Sequence, residues 1–139
     1  MTKRKILVVE DEAELTGAIQ IRLEQAGYEV LTAYDGQEAL EKARVENPDL
    51  IVLDLMLPKM DGYKVCRMLK FDEKYKKIPV VMLTARAQEK DEDLGYEVGA
   101  DAFITKPFKY QVLLAKIAEL LGAVFSSLSS SRLIEMSLR

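Results

Sequence analysis

A chain of 139 residues, 49% of them hydrophobic, has the apolar mass for one globular domain with a full core. Its net charge of −3 leaves no basic footprint for nucleic acid, and its single cysteine, Cys66, excludes an internal disulfide and points to a reducing, cytoplasmic setting. The first apolar run, Ile6 to Val9, is far too short for a signal peptide or a membrane span.

Ile6 to Val9 reads as a strand and runs into two acids, Glu10 and Asp11. A helix over about Glu12 to Ala26 follows, with Leu15, Ile19 and Leu23 on one face and Gly27 marking its end. Glu29 to Ala33 is a second strand. Asp35, with Glu38 three residues on, opens a second helix whose Ala39, Leu40 and Ala43 share a side until Asn47-Pro48 stops it. The β-branched run from Leu50 reads as a strand buried on both faces, which puts Asp54 at its carboxyl end. Asp61 is placed to cap a third helix with Gly62, Val65, Cys66 and Leu69 on one face, ending in the charged stretch Asp72 to Lys77. Pro79 to Leu83 is the fourth strand, Gln88 to Val98 a short acidic helix softened by Gly95, and Ala102 to Thr105 the fifth strand. The last helix starts near Lys109 and carries Leu113, Leu114, Ile117, Leu120 and Leu121.

Five strands alternating with five helices imply a doubly wound α/β fold, a parallel sheet with helices on both faces. Ligands bind such sheets outside the carboxyl ends of the strands, where the strand order reverses. That rule gathers Glu10, Asp11, Asp54, Thr84 and Lys106. Carboxylates crowded together repel one another, and a hard divalent cation such as Mg2+ relieves them. Thr84 and Lys106 then offer a hydroxyl and a positive charge, the groups a phosphoryl needs. Taken singly, each residue has a plainer reading: Glu10-Asp11-Glu12 as a solvated helix start, Thr84 as a cap, Lys106 as a surface lysine, Phe103 as core, Cys66 as a small helix residue. For the acids, Thr84 and Lys106, coincidence at one sheet edge favours a site, whereas Phe103 and Cys66 keep the plainer reading on these grounds.

Four segments in order, VVEDE, VLDLMLPKMDG, MLTA and GADAFITKPF, resemble the receiver domain of bacterial two-component response regulators over roughly residues 4 to 122. The resemblance implies a flavodoxin-like five-stranded sheet of order 2-1-3-4-5. It implies that Asp54 is the phosphoacceptor, modified to 4-aspartylphosphate, and that Glu10, Asp11, Asp54 and the backbone carbonyl of Met56 hold magnesium. Thr84 and Lys106 would contact the phosphoryl oxygens, Phe103 would act with Thr84 as the switch, and Lys106-Pro107 would be cis. The output face would comprise the Gln88 to Val98 helix, the fifth strand and the last helix. Met56 and Arg86 are expected at the rim, where their bulk slows water.

With no histidine, these residues hold no phosphodonor of their own, so the donor is expected on a separate molecule, a histidine kinase or histidine phosphotransfer protein, or on a segment outside this sequence. The resemblance thus describes a self-phosphorylating phosphoacceptor with autodephosphorylation rather than a turnover enzyme. It would signal to an output domain or effector protein, binding neither nucleic acid nor membrane itself. In the winged-helix DNA-binding subgroup an acid, a Glu and an Arg build a dimer interface at positions held here by Ala102, Val112 and Lys116, so a homodimer would need other residues. The long link FDEKYKKIPV is familiar from receivers of hybrid kinases and cyclases, and a degenerate docking module is the further alternative. An aspartate-nucleophile phosphatase is disfavoured because Met56 stands where its second Asp is needed. The receiver is expected over residues 1–122. Residues 123–139, with their serine cluster, read as a tail or linker start toward an output domain.

Overall fold

Leu50–Asp54 and Val80–Thr84 are buried at every position, the pattern of strands covered on both faces. In a computed structural model of the chain, which describes residues 3–85 and 99–122, these are β3 and β4. The other strands are β1 (Lys5–Val9), β2 (Glu29–Ala33) and β5 (Ala102–Thr105). All pair in parallel in the order β2-β1-β3-β4-β5. The described helices are α1 (Ala13–Gln25), α2 (Gly36–Glu46), α3 (Gly62–Lys70) and α4 (Tyr110–Leu120). The expected helix over Gln88 to Val98, with Arg86, and the tail from Ala123 lie outside the described residues.

Alternation along the strands divides the core into two layers. Leu7, Val9, Ile51, Leu53, Val80 and Met82 face Ala39, Leu40 and Ala43 of α2 and Val65, Cys66 and Leu69 of α3. Ile6, Val8, Leu50, Val52, Val81 and Leu83 face Ile19 and Leu23 of α1 and Leu113 and Ile117 of α4. Burial pushes the Cys66 thiol up to about 12, so it stays protonated and serves as a small apolar filler. No described helix is long and apolar enough to cross a membrane.

Local signals set the element ends. The Glu38 N–H donates to Asp35 Oδ1 at 2.8 Å and the Lys64 N–H to Asp61 Oδ1 at 2.9 Å, capping α2 and α3. The Glu38 carboxylate reaches back one residue further than in the usual box, to the Tyr34 N–H at 2.9 Å. Asn47, at φ 51°, and Gly27, at φ 100°, supply the left-handed residues that end α2 and α1. β4 begins at Val80, one residue later than the sequence pattern suggests, because proline has no N–H for the ladder. Pro79 still contributes its carbonyl, which accepts from the Ile51 N–H at 2.9 Å.

The link from α3 to β4 is ordered by a half-buried lysine. Lys70 Nζ donates to the carbonyls of Lys76 at 3.0 Å and Ile78 at 2.7 Å and pairs with Asp101 Oδ2 at 2.9 Å. Tyr75 anchors the same link in the core.

Gly62 is required by a close approach: a Cβ there would meet Leu55 Cα at 2.8 Å and the carbonyl oxygen of Asp54, both backbone. Because neither neighbour can rotate away, Gly62→Ala should destabilise the domain by about 1–3 kcal/mol. A lowered urea midpoint at unchanged slope would show it, and an unchanged midpoint would mean that the loop yields.

Candidate functional site

β1 and β3 are neighbours, with Val9 opposite Leu53. The residues that follow them, Glu10 and Asp54, therefore emerge side by side where the strand order reverses. Glu10 is held there by its N–H, which donates to the Ala33 carbonyl of β2 at 3.1 Å. Glu10 is fully buried, Asp54 is 4% exposed, and Asp11 stands open to solvent. One carboxylate oxygen from each of the three lies within 4.8 Å of the others.

Lys106, just beyond β5, reaches into the same space. Its Nζ donates to Glu10 Oε1 at 3.0 Å and lies 3.5 Å from Asp54 Oδ1 and 4.0 Å from Glu12 Oε1. The Lys106 N–H donates to the Thr84 carbonyl at 2.6 Å, which brings the ends of β4 and β5 together, and the Lys106-Pro107 peptide is cis. Thr84 is buried at the end of β4. Met56 projects its side chain into solvent while its N–H donates to Asp54 Oδ1 at 3.4 Å. Phe103 of β5 is half-buried and packs with the layer under α2 and α3. It lies opposite Met82, and Thr84 opposite Thr105, so Phe103 and Thr84 share one face of the sheet.

Burial raises the Glu10 carboxyl above its ordinary value, and the charge of Asp54 adds to the rise against the opposing Lys106. Burial likewise raises Asp54, with Lys106 and the Met56 N–H pulling the other way and Asp11 pushing in the same direction. For Lys106, burial alone would lower the ammonium, but the hydrogen bond it donates to Glu10 and the charges of Asp54 and Glu10 outweigh it and hold the group above its usual value. Three carboxylates against one ammonium leave two formal negative charges, the charge of one divalent ion. An all-oxygen donor set, partly buried and open on the Asp11 side, suits Mg2+ in kind as well as in charge.

A family model for the response regulator receiver domain matches residues 6–118. The chain belongs to that family. The receiver is 49% identical over 118 residues to the alkaline phosphatase synthesis transcriptional regulatory protein PhoP of Bacillus subtilis, a match covering 85% of this chain and 48% of PhoP. It thus spans about half the length of the curated relatives it matches. Among solved structures it is similar to the chemotaxis response regulator CheY4 of Vibrio cholerae, with a TM-score of 0.81, 34% identity and coverage of 86% of this chain and 99% of that one. It is also similar to the receiver domain of a sensor histidine kinase from Pseudomonas aeruginosa that carries a magnesium ion in its active-site cleft. There the TM-score is 0.80 with 30% identity, covering 87% of this chain and 99% of that one. The acidic cluster of Glu10, Asp11 and Asp54 fits the phosphoacceptor site of a receiver.

Three parts of this site escape a reading of the sequence. Thr16 is a buried polar residue whose hydroxyl donates to the Glu10 carbonyl at 3.0 Å. Its one signal is a threonine in register with Ile19 and Leu23 on the apolar face of α1. Glu12 reads as a helix start and is indeed the N-cap of α1, yet its N–H also donates to Glu10 Oε2 at 3.2 Å. An apolar cavity of about 470 Å³, lined by Leu15, Ala85, Pro107, Phe108 and Tyr110, opens beside Lys106 and joins α1 to the segment after β5.

Proposed function

We propose that Asp54 accepts a phosphoryl group from a phosphohistidine on a separate kinase or phosphotransfer protein and that the phosphorylated state signals to an output domain or effector. The observation that carries this reading is the convergence of three carboxylates within 4.8 Å, with Lys106 Nζ 3.0 Å from Glu10 and 3.5 Å from Asp54. Glu10, Asp11, Asp54 and the backbone carbonyl of Met56 are the groups to hold magnesium. When bound, the ion would neutralise charge on the phosphoryl oxygens during transfer.

The protein's own work is positioning. An Asp54 carboxylate oxygen attacks phosphorus as the bond to the donor imidazole nitrogen breaks, and the electron pair of that bond leaves with the imidazole. The new bond is an acyl phosphate, and the carboxylate's own charge is consumed in making it. Lys106, released from one of its carboxylate partners, turns to a phosphoryl oxygen, and the Thr84 hydroxyl donates to another. The apolar cavity beside Lys106 supplies a surface against which a protein donor can rest within reach of Asp54. Readout follows through the shared face of Thr84 and Phe103: drawing the Thr84 hydroxyl toward the phosphoryl makes room for the Phe103 ring to turn inward. We assign this work to the cytoplasm, where kinase donors and Mg2+ are at hand.

Incubation with acetyl phosphate and Mg2+ tests the reading directly. The expected product is heavier by one phosphoryl group, stable to acid and labile to base, and EDTA abolishes its formation. No incorporation, or incorporation indifferent to EDTA, would overturn the reading.

A further inference from the structure

Asp11 is the exposed member of the acidic cluster, and its carboxylate accepts no hydrogen bond from any described residue. Something other than side-chain contact must therefore aim it. The backbone carbonyls on either side of Asp11 both accept from one residue, Thr16. The Thr16 hydroxyl donates to the Glu10 carbonyl at 3.0 Å, and the Thr16 N–H donates to the Glu12 carbonyl at 2.9 Å. These two carbonyls belong to the residues flanking Asp11, so a single side chain and its own amide bracket the turn between β1 and α1.

We infer that Thr16 is a positioning residue for divalent-cation binding, fixing the Glu10-Asp11-Glu12 turn so that the Asp11 carboxylate points at the buried pair Glu10 and Asp54. This inference rests on the proposed function, in which those carboxylates hold the ion. Thr16 is 2% exposed and Glu10 fully buried, so water does not readily replace the hydroxyl at that carbonyl. Glu10 is otherwise tied at its N–H by Ala33, at Oε2 by the Glu12 N–H and at Oε1 by Lys106. Among the described residues the Thr16 bond is the one that ties its carbonyl, and it thereby sets the direction in which the chain leaves toward Asp11. Outer groups that orient ligands are worth about 10–100-fold in metal affinity, and one acting through the backbone belongs at the low end of that range.

Manganese titrated into the full chain and followed by electron paramagnetic resonance reads the effect without any phosphoryl chemistry. Thr16→Val keeps the shape and removes the hydroxyl, Thr16→Ala removes it without placing a methyl group against the carbonyl, and Thr16→Ser retains it. Both hydroxyl-free variants are expected to bind Mn2+ about tenfold more weakly, with Thr16→Ser close to the parent protein. Ile117→Val, a core change in α4 remote from the turn, controls for lost stability and is expected to leave the affinity unaltered. Parent-like affinity in Thr16→Ala, or equal weakening in Ile117→Val, would overturn the role of Thr16. Asp11→Asn separates that failure from failure of the underlying reading: if it too leaves Mn2+ binding unchanged, the cluster does not hold the ion at all.

Discussion

Asp54→Asn is expected to leave the domain folded and to reduce phosphoryl incorporation from acetyl phosphate to background. Asparagine matches the shape of aspartate, but its amide nitrogen has a delocalised lone pair and its single carbonyl oxygen carries no charge, so no competent nucleophile remains at the end of β3. The change should also stabilise the metal-free protein. Burial raises the Asp54 carboxyl even with Lys106 and the Met56 N–H opposing it, which means that the folded state disfavours the charged form. A thermal melt in EDTA near neutral pH should move up, by about 4 °C for each kcal/mol relieved in a domain of this size. Magnesium should narrow the gap, because it stabilises only the parent protein with its full set of carboxylates. Undiminished labelling would place the nucleophile elsewhere. A lower midpoint in EDTA would show that the Asp54–Lys106 attraction outweighs the burial it offsets.

Lys106→Met carries the second large effect. Removing the ammonium strands Glu10, Asp54 and Asp11 together with no counter-charge, and breaking a largely buried pair in this way costs about 3 kcal/mol. The loss should appear in urea unfolding at pH 8 in EDTA, and acyl phosphate formation should fall about a hundredfold, since a charge aimed at the transferring group is gone. The pH dependence has a definite sign. Glu10 and Asp54 are both raised in the folded state, from ordinary values of 4.5 and 3.8. The native protein therefore binds protons that the unfolded chain has released, and the stability these two groups contribute is lost as pH rises through their folded values. Lys106 is raised above 10.5, so its own contribution is complete throughout the range from pH 5 to 8 and drops out of the slope there. The variant's deficit should accordingly shrink as pH falls from 8 toward 5. A deficit independent of pH would mean that Lys106 acts through packing of its stem.

The elements of this domain are legible in the sequence because each announces itself locally. The run Leu50 to Asp54 is apolar and β-branched, Asp35 and Asp61 stand three residues before the amides they cap, and Gly27 and Asn47 mark helix ends. Small shifts, such as β4 starting after Pro79, follow from a missing N–H that the apolar pattern does not register. The Lys70–Asp101 pair that orders the α3 to β4 link gives no such local sign, since it joins the end of one helix to the start of a distant strand.

From the sequence alone came the alternation of strands and helices, hence a parallel sheet, and the placement of Glu10, Asp11, Asp54, Thr84 and Lys106 at strand ends. Both follow from periodicity and chain stops, which depend only on near neighbours. The strand order was not contained in that alternation and entered through the resemblance to a family. Which atoms meet was decided by the tertiary structure. Lys106 reaches Glu10 across 96 positions of sequence only because β1, β3, β4 and β5 lie in that order. The bracket of Thr16 around Asp11 likewise exists only once α1 folds back over the end of β1 and buries a hydroxyl against a carbonyl that must be bonded. Contacts through space between buried polar groups depend on how layers stack, and that stacking is a property of the whole core.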